Sequence, residues 1–146
     1  MNHLVLLEAE AGELESILRG VKTMLARDSD PAHPASQPVS PGDSLFFLRD
    51  TDDGAVRVRA TVTRVLVQTS SNDEDLSHTL KEMQPRLQLT EGQYNHWAAR
   101  RQVLLVEFEN ARKMNVIHVA RNRITGSSGW IAFEELRDIT EQETAP

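Results

Sequence analysis

The stretch of residues 55–69 limits the folds open to this chain more than any other segment. Apolar and polar residues alternate over residues 56–62, which is the period of a β-strand with one buried face. After Arg64 the apolar residues move to the opposite parity, at Val65 and Val67. A change of phase within one strand predicts a β-bulge or a strong bend, as in the strands of small barrels.

Shorter apolar runs bounded by turn residues predict further strands on both sides of this one. We expect them at His3–Leu7, Val21–Arg27, Ser44–Leu48, Gln102–Glu109, Met114–Ala120 and Trp130–Phe133. A turn at Asn110, Arg112 and Lys113 is expected to separate the fourth of these strands from the fifth. Four prolines make residues 29–43 a loop.

Three segments have the apolar spacing or the capping residues of helices. The first covers residues 9–19. The second opens with a capping box at residues 71–74 and is expected to end or kink at Pro85. The third covers residues 90–99. Because strands and helices do not alternate regularly, the prediction is an α+β fold, with a small β-barrel or a strongly curved mixed sheet and two to three peripheral helices.

Length and composition narrow the class of protein. The 146 residues fit one domain, which we expect over residues 1–140 with a flexible tail at 141–146. The chain has no cysteine, which excludes disulfides, thiolate catalysis and cysteine-bound metals. Its five histidines are scattered, so neither a metal site nor a cofactor is predicted. The sequence shows neither an export signal nor a membrane span, so a cytoplasmic protein is expected.

Positive charge is distributed unevenly along this chain, whose formal net charge is −6. Residues 16–27, 54–72 and 110–133 contain no acidic residue, yet they hold ten of the 16 Lys and Arg residues. If these windows meet in space, they form a basic pocket or groove suited to phosphate. The simpler alternative is that they are solvated strand faces.

The residues Gly20, Lys22, Thr23 and Arg27 resemble the opening motif of the ASCH domain family. In that family a helix ends in Gly-x-Lys-Thr, and the strand that follows ends in Arg. A Gly-Asp pair before an apolar strand completes the pattern, and this chain has one at residues 42–43. The resemblance covers most of the chain up to the strand that begins with tryptophan.

The resemblance implies a fold of the PUA-like superfamily and a pocket beside the Gly-x-Lys segment, where family members are proposed to bind RNA or nucleotide-like ligands. Many members carry an acid between the Lys-Thr pair and the Arg, whereas this chain has residues 24–26, Met-Leu-Ala. In members that resemble amidohydrolases of acetylated cytidine nucleosides, the lysine works with a glutamate and with a threonine three positions later. Leu25 occupies that threonine position here.

The first functional hypothesis is a module that binds RNA or a nucleotide-containing ligand in a basic cleft. Its predicted ligand-binding residues are Gly20, Lys22, Thr23, Arg27, Arg57, Arg59, Arg121, Arg123, Ser127 and Trp130. The alternative is a small hydrolase, either an amidohydrolase of modified nucleosides or a ribonuclease, with Lys22 and Glu107 as the catalytic candidates. A protein-interaction module is a further alternative. The oligomeric state is left open.

Several of these residues also have structural interpretations. On a regular strand Lys22 and Arg27 point to opposite faces, so one of them is expected to be structural, for example through a pair with Asp43 or Asp28. An exposed edge position explains Glu107 simply. A place in the core explains Trp130.

Overall fold

The computed structural model describes residues 1–28, 39–50, 54–70, 76–120 and 129–140. Its sheet has six strands: β1 (Asn2–Leu7), β2 (Met24–Arg27), β3 (Ser44–Arg49), β4 (Ala55–Thr69), β5 (Gln102–His118) and β6 (Trp130–Phe133). Their order across the sheet is β2-β5-β4-β3-β1-β6. Strands β1 and β3 are parallel, and the other neighbouring pairs are antiparallel.

The sheet is strongly curved but not closed, because β2 and β6 are edge strands that do not pair with each other in the described part of the chain. With the helices it makes an α+β fold, which confirms the predicted fold class in its curved-sheet form. Strands β3 and β4 follow each other in the chain and pair antiparallel.

The long ladder between β4 and β5 contains the predicted irregularity. Its register shifts at three places, one of them between Val62 and Arg64. There two steps along β4 match a single step along β5, from Phe108 to Glu107. The extra residue, Thr63, accounts for the change of phase in the sequence, because a bulge turns the following side chains to the other face.

The predicted division of β5 into two strands is wrong. The structure has one strand of 17 residues through Asn110, Arg112 and Lys113. Asn110 has φ +55°, and the register shifts beside it, between Arg59 and Thr61 of β4. Turn-forming residues are therefore accommodated as a bulge within a continuous strand, which asparagine favours because it tolerates a positive φ.

The helices lie at the ends of these strands: α1 (Glu13–Leu18), α2 (Ser77–Leu87), α3 (Glu91–Ala98) and a 3₁₀ turn (Leu136–Asp138). Helix α1 is shorter than its predicted range, residues 9–19. Helix α2 does not end at Pro85 but continues to Leu87. The capping box of α3 is confirmed, with Thr90 Oγ1 accepting from the Gln93 N–H at 3.2 Å. The predicted box at 71–74 lies outside the described residues.

Strand β2 separates two of the three buried clusters. Leu25 packs with α1 and the inner residues of β1, β3 and β4. Met24 and Ala26 pack with α2 and α3 on the other face. A third cluster joins β1, β3 and β6. The segment just before β2 therefore lies where α1, the end of α2 and the middle of β5 come together.

Candidate ligand cleft and buried Lys22 site

A cavity of about 230 Å³ lies beside the Gly-x-Lys-Thr segment. It contains three predicted site residues, Gly20, Lys22 and Thr23. The opposite wall is the bulged part of β5, residues 108–111, and the end of α1 closes one side. Sequence reasoning missed the β5 wall because it placed a turn there.

Glycine is required at position 20 by backbone conformation. Gly20 has φ +74°, and its N–H donates to Ile17 O at 3.0 Å as α1 ends. The N–H groups of Val21 and Lys22 both donate to Ser16 O, at 3.1 and 3.2 Å. The chain therefore folds back onto α1 before β2 begins at Met24, and the predicted start of this strand at Val21 is wrong.

Lys22 is the largest buried polar side chain of the described residues, with 2% of its surface exposed. Its Nζ donates to the carbonyl of Leu87, the last residue of α2, where a cation is favoured by the helix dipole. Burial lowers the pKa of Lys22 to about 8, although the neighbouring Glu13 acts to raise it. An amine with this pKa is partly neutral near pH 8, which makes it a candidate base or nucleophile.

The carboxylate beside Lys22 belongs to Glu13, which the sequence did not single out. Glu13 is 3% exposed, and its Oε1 accepts from the Glu8 N–H at 3.2 Å and from Gln93 Nε2 at 3.3 Å. Its Oε2 accepts no hydrogen bond from the described residues, and it lies 3.9 Å from both Lys22 Nζ and Arg27 Nη2. A buried acceptor without a hydrogen bond costs about 1–3 kcal/mol.

Arg27 has a structural role as well as a place near this carboxylate. Its Nη1 donates to Ala26 O at 2.8 Å and its Nη2 to Leu6 O at 3.0 Å, so it connects β2 with β1. Lys22 and Arg27 both approach Glu13 because Lys22 precedes the strand, so the alternation expected for a strand starting at Val21 does not apply.

The two aspartates suggested as a structural partner of Lys22 or Arg27 pair with other residues. Asp43 pairs with His3, and Asp28 pairs with Arg100.

Glu107, the predicted catalytic partner, is bound by two other side chains. Its carboxylate lies 3.5 Å from Arg64 Nε and 3.2 Å from Arg86 Nε. It therefore joins β4, β5 and α2. The position of Glu13 carried a usable signal, because it lies four residues before Ile17 on the apolar face of α1. A glutamate on a buried helix face needs a partner in the interior.

An open groove of about 650 Å³ continues from the cavity. Both are lined by Leu18 and Ala111, and the groove adds Arg19 from the end of α1 with Arg112 and Lys113 from β5. Two of the three acid-free windows, 16–27 and 110–133, therefore contribute to one groove. Its acidic residue, Glu15, is paired with Arg49 at 3.1 Å.

Arg57 and Arg59 lie away from both the cavity and the groove. Arg57 is exposed, and the Arg59 guanidinium lies over the Phe46 ring, 5.6 Å from its centroid. Neither residue lines the cavity or the groove. Three more lie outside the described residues: Arg121, Arg123 and Ser127.

Trp130 belongs to a separate buried chain of hydrogen bonds. Its Nε1 donates to His3 Nδ1 at 3.0 Å, and His3 Nε2 contacts Asp43 Oδ2 at 2.8 Å. The imidazole is 0% exposed, and this burial lowers the pKa of His3 despite the nearby Asp43. Because Nδ1 accepts a hydrogen bond from the indole N–H, the neutral tautomer with hydrogen on Nε2 satisfies both contacts.

Comparison with known structures identifies the class of fold. The crystal structure of the ASCH protein from Zymomonas mobilis is similar with a TM-score of 0.69 at 13% identity, over 97% of this chain and 96% of that chain. A mutant of that protein gives 0.70 at 12% identity, over 94% and 93%. A Pseudomonas putida protein gives 0.50 at 16% identity, over 94% of each chain.

The protein therefore has an ASCH-like fold, as its motif residues predicted. No protein-family model matches the sequence, and neither does any curated protein. None of the described helices is long and apolar enough to cross a membrane.

Proposed function

We propose that this protein binds RNA or a nucleotide-containing ligand in the cleft formed by the cavity and the groove. The observation that carries the proposal is that the cavity and the groove share Leu18 and Ala111 as lining residues, so the Gly-x-Lys-Thr segment lies next to a groove lined by Arg19, Arg112 and Lys113. Binding pockets for drug-sized ligands usually measure about 300–1,000 Å³. The smaller cavity suits one base-sized group, and the basic groove suits the phosphate attached to it.

The test is a fluorescence anisotropy titration of a labelled single-stranded RNA pool at low and near-physiological salt. Binding is expected to weaken as salt increases, because each neutralised phosphate of a single strand contributes a slope of about −0.7 in log affinity against log salt. Lys113→Gln should weaken binding and reduce that slope by about one phosphate contact. Lys81→Gln is the matched control, because Lys81 is exposed on α2 and lines neither the cavity nor the groove.

Absence of binding at low salt contradicts the proposal. Equal weakening by Lys113→Gln and Lys81→Gln would also contradict it, since the attraction would then be non-specific. Arg57→Gln, Arg59→Gln, Arg121→Gln and Arg123→Gln test whether the cleft extends to the remaining predicted residues.

A hydrolase is the second candidate, and it is favoured by the lowered pKa of Lys22 in the wall of the cavity. In this candidate Lys22 acts as the base, and Glu13 rather than Glu107 supplies the neighbouring carboxylate. The hydrolase hypothesis is supported if the native protein turns over an acylated nucleoside or RNA and the Lys22→Met variant does not. It is contradicted if the native protein turns over none of a panel of such substrates.

A further inference from the structure

We propose that Glu13 is the positioning residue of Lys22: its carboxylate holds the Lys22 ammonium against the end of α2 and keeps it charged. This inference deepens the proposed function and rests on it, because Lys22 lines the cavity assigned to the ligand. Residues 24–26 on β2 contain no acidic residue. The carboxylate beside Lys22 comes instead from Glu13 on α1.

Among the described residues, the hydrogen bonds that orient the Glu13 carboxylate all go to Oε1. The Glu8 N–H and Gln93 Nε2 fix Oε1, and this leaves Oε2 directed at the two cations, 3.9 Å from each. Oε2 accepts no hydrogen bond from the described residues. It is therefore an available acceptor for the ammonium, whose hydrogen bond is made to the Leu87 carbonyl.

Burial disfavours the protonated amine of Lys22, and the groups around the amine modify this effect. Glu13 from α1 and Glu8 before it favour the charged form, while Arg27 on β2 opposes it. From α2 the Leu87 carbonyl accepts a hydrogen bond from the amine. Glu8 is exposed, so water screens its effect, whereas Glu13 is buried and acts at full strength. Removal of the Glu13 charge therefore lowers the pKa of Lys22.

The experiment is an NMR titration of the protein labelled with ¹³C-lysine. The chain has three lysines, Lys22, Lys81 and Lys113, and Lys22→Met assigns the buried one. We expect the Lys22 signal of the native protein to titrate near pH 8, and that of Glu13→Gln at a lower pH. Glu13→Asp keeps the negative charge, so its Lys22 signal should titrate between those of the native protein and Glu13→Gln. If Glu13→Gln does not fold, Glu13→Asp is compared with the native protein instead.

Glu15→Gln is the matched control, since Glu15 lies on the same helix but is 53% exposed and paired with Arg49. The proposal is overturned if the Lys22 midpoint is the same in native protein and Glu13→Gln, or if Glu15→Gln moves it equally. A merely structural role of Glu13 would alter stability without moving this midpoint.

A second readout separates this proposal from the proposed function. Anisotropy titrations of the labelled RNA pool from pH 6.5 to 9.5 should show affinity falling near pH 8 in the native protein and at lower pH in Glu13→Gln. If the Lys22 midpoint differs between the native protein and Glu13→Gln but no variant binds RNA, the positioning role of Glu13 is supported and the proposed function is contradicted. If RNA binds but the midpoint is the same in both proteins, the positioning role is contradicted and the proposed function is supported.

Discussion

Two buried polar clusters lie in this small fold, and they differ in how well their atoms are paired. In the chain formed by Trp130, His3 and Asp43, both ring nitrogens of the histidine have a partner, and a neutral imidazole satisfies them. In the cluster formed by Glu13, Lys22 and Arg27, charges approach at 3.9 Å, and one buried carboxylate oxygen accepts no hydrogen bond from the described residues.

The difference indicates what each cluster does. A fully paired network around a neutral imidazole fixes strand positions, and here it joins β1, the start of β3 and β6. An incompletely paired charged network stores unfavourable energy, and such networks are concentrated at functional sites. The second cluster also lies in the wall of the cavity, through Lys22. The comparison therefore predicts that the two clusters respond differently to substitution and to pH.

The largest effect is expected from the charged cluster. Glu13→Gln removes the carboxylate from two cations and should lower the free energy of unfolding by about 4 kcal/mol, as the loss of one partner of a buried ion pair does. Urea denaturation followed by circular dichroism measures it. Glu15→Gln, an exposed neighbour on α1, should change the free energy by less than about 1 kcal/mol. Equal effects of the two variants would remove the distinction between buried and exposed acids.

A smaller loss of stability is expected when His3, the central residue of the hydrogen-bonded chain from Trp130 to Asp43, is replaced. His3→Leu leaves Trp130 Nε1 without its acceptor and removes one partner of Asp43, which keeps Ser40 N–H and the N-terminus. The expected decrease in the free energy of unfolding is about 2–3 kcal/mol. The same urea titration measures it. A change below 1 kcal/mol would mean that these hydrogen bonds contribute little to the fold.

Trp130→Phe tests one bond of that chain. It removes the indole donor and leaves His3 Nδ1 without a partner, so we expect a decrease of about 1.5 kcal/mol. Thermal unfolding with a ¹⁵N-histidine spectrum measures the stability and the tautomer together. The Nε2–H tautomer should dominate in the native protein, and its dominance should weaken in the variant. A native protein with hydrogen on Nδ1 would contradict the assigned direction of the bond.

Features of the fold that depend on residues close together in the sequence could be predicted, and features that depend on tertiary packing could not. The alternation over residues 56–62 and the capping residues at Thr90 depend on neighbouring residues, and the strand and the capping box are both confirmed. The β5 strand was divided in two because Asn110 has turn chemistry, yet pairing with β4 keeps the chain extended through it. Pro85 likewise did not end α2, where Leu80 and Leu87 pack in the core.

The candidate site shows the same limit. The motif residues Gly20, Lys22 and Thr23 are close in sequence, and they line one cavity. The partner of Lys22 depends on how α1 packs against β2, which no local pattern contains. Glu107 is a candidate in the sequence because it interrupts an apolar run. In the structure its carboxylate pairs with Arg64 and Arg86 and not with Lys22. The binding hypothesis includes Arg57 and Arg59 among the cleft residues, yet neither lines the cavity or the groove, and Arg59 lies over Phe46.

The smallest effect is the pH dependence that His3 gives to stability. The folded pKa lies below the ordinary 6.5, so below that pH the unfolded chain binds the extra proton and the folded state does not. The free energy of unfolding should therefore fall as pH drops from 6.5, by at most about 1.4 kcal/mol per pH unit for one group.

Asp43 strengthens the trend at lower pH, because hydrogen bonds from His3 and Ser40 outweigh its burial and lower its pKa. Urea titrations between pH 5 and 7 in native protein and His3→Leu isolate the histidine, because only the native protein should lose stability through this group. A native curve parallel to that of His3→Leu would show that His3 takes up a proton as easily in the folded state as in the unfolded chain. The hydrogen-bonded chain around His3 would then tolerate a protonated imidazole. Its contrast with the cluster around Glu13 would have no physical basis.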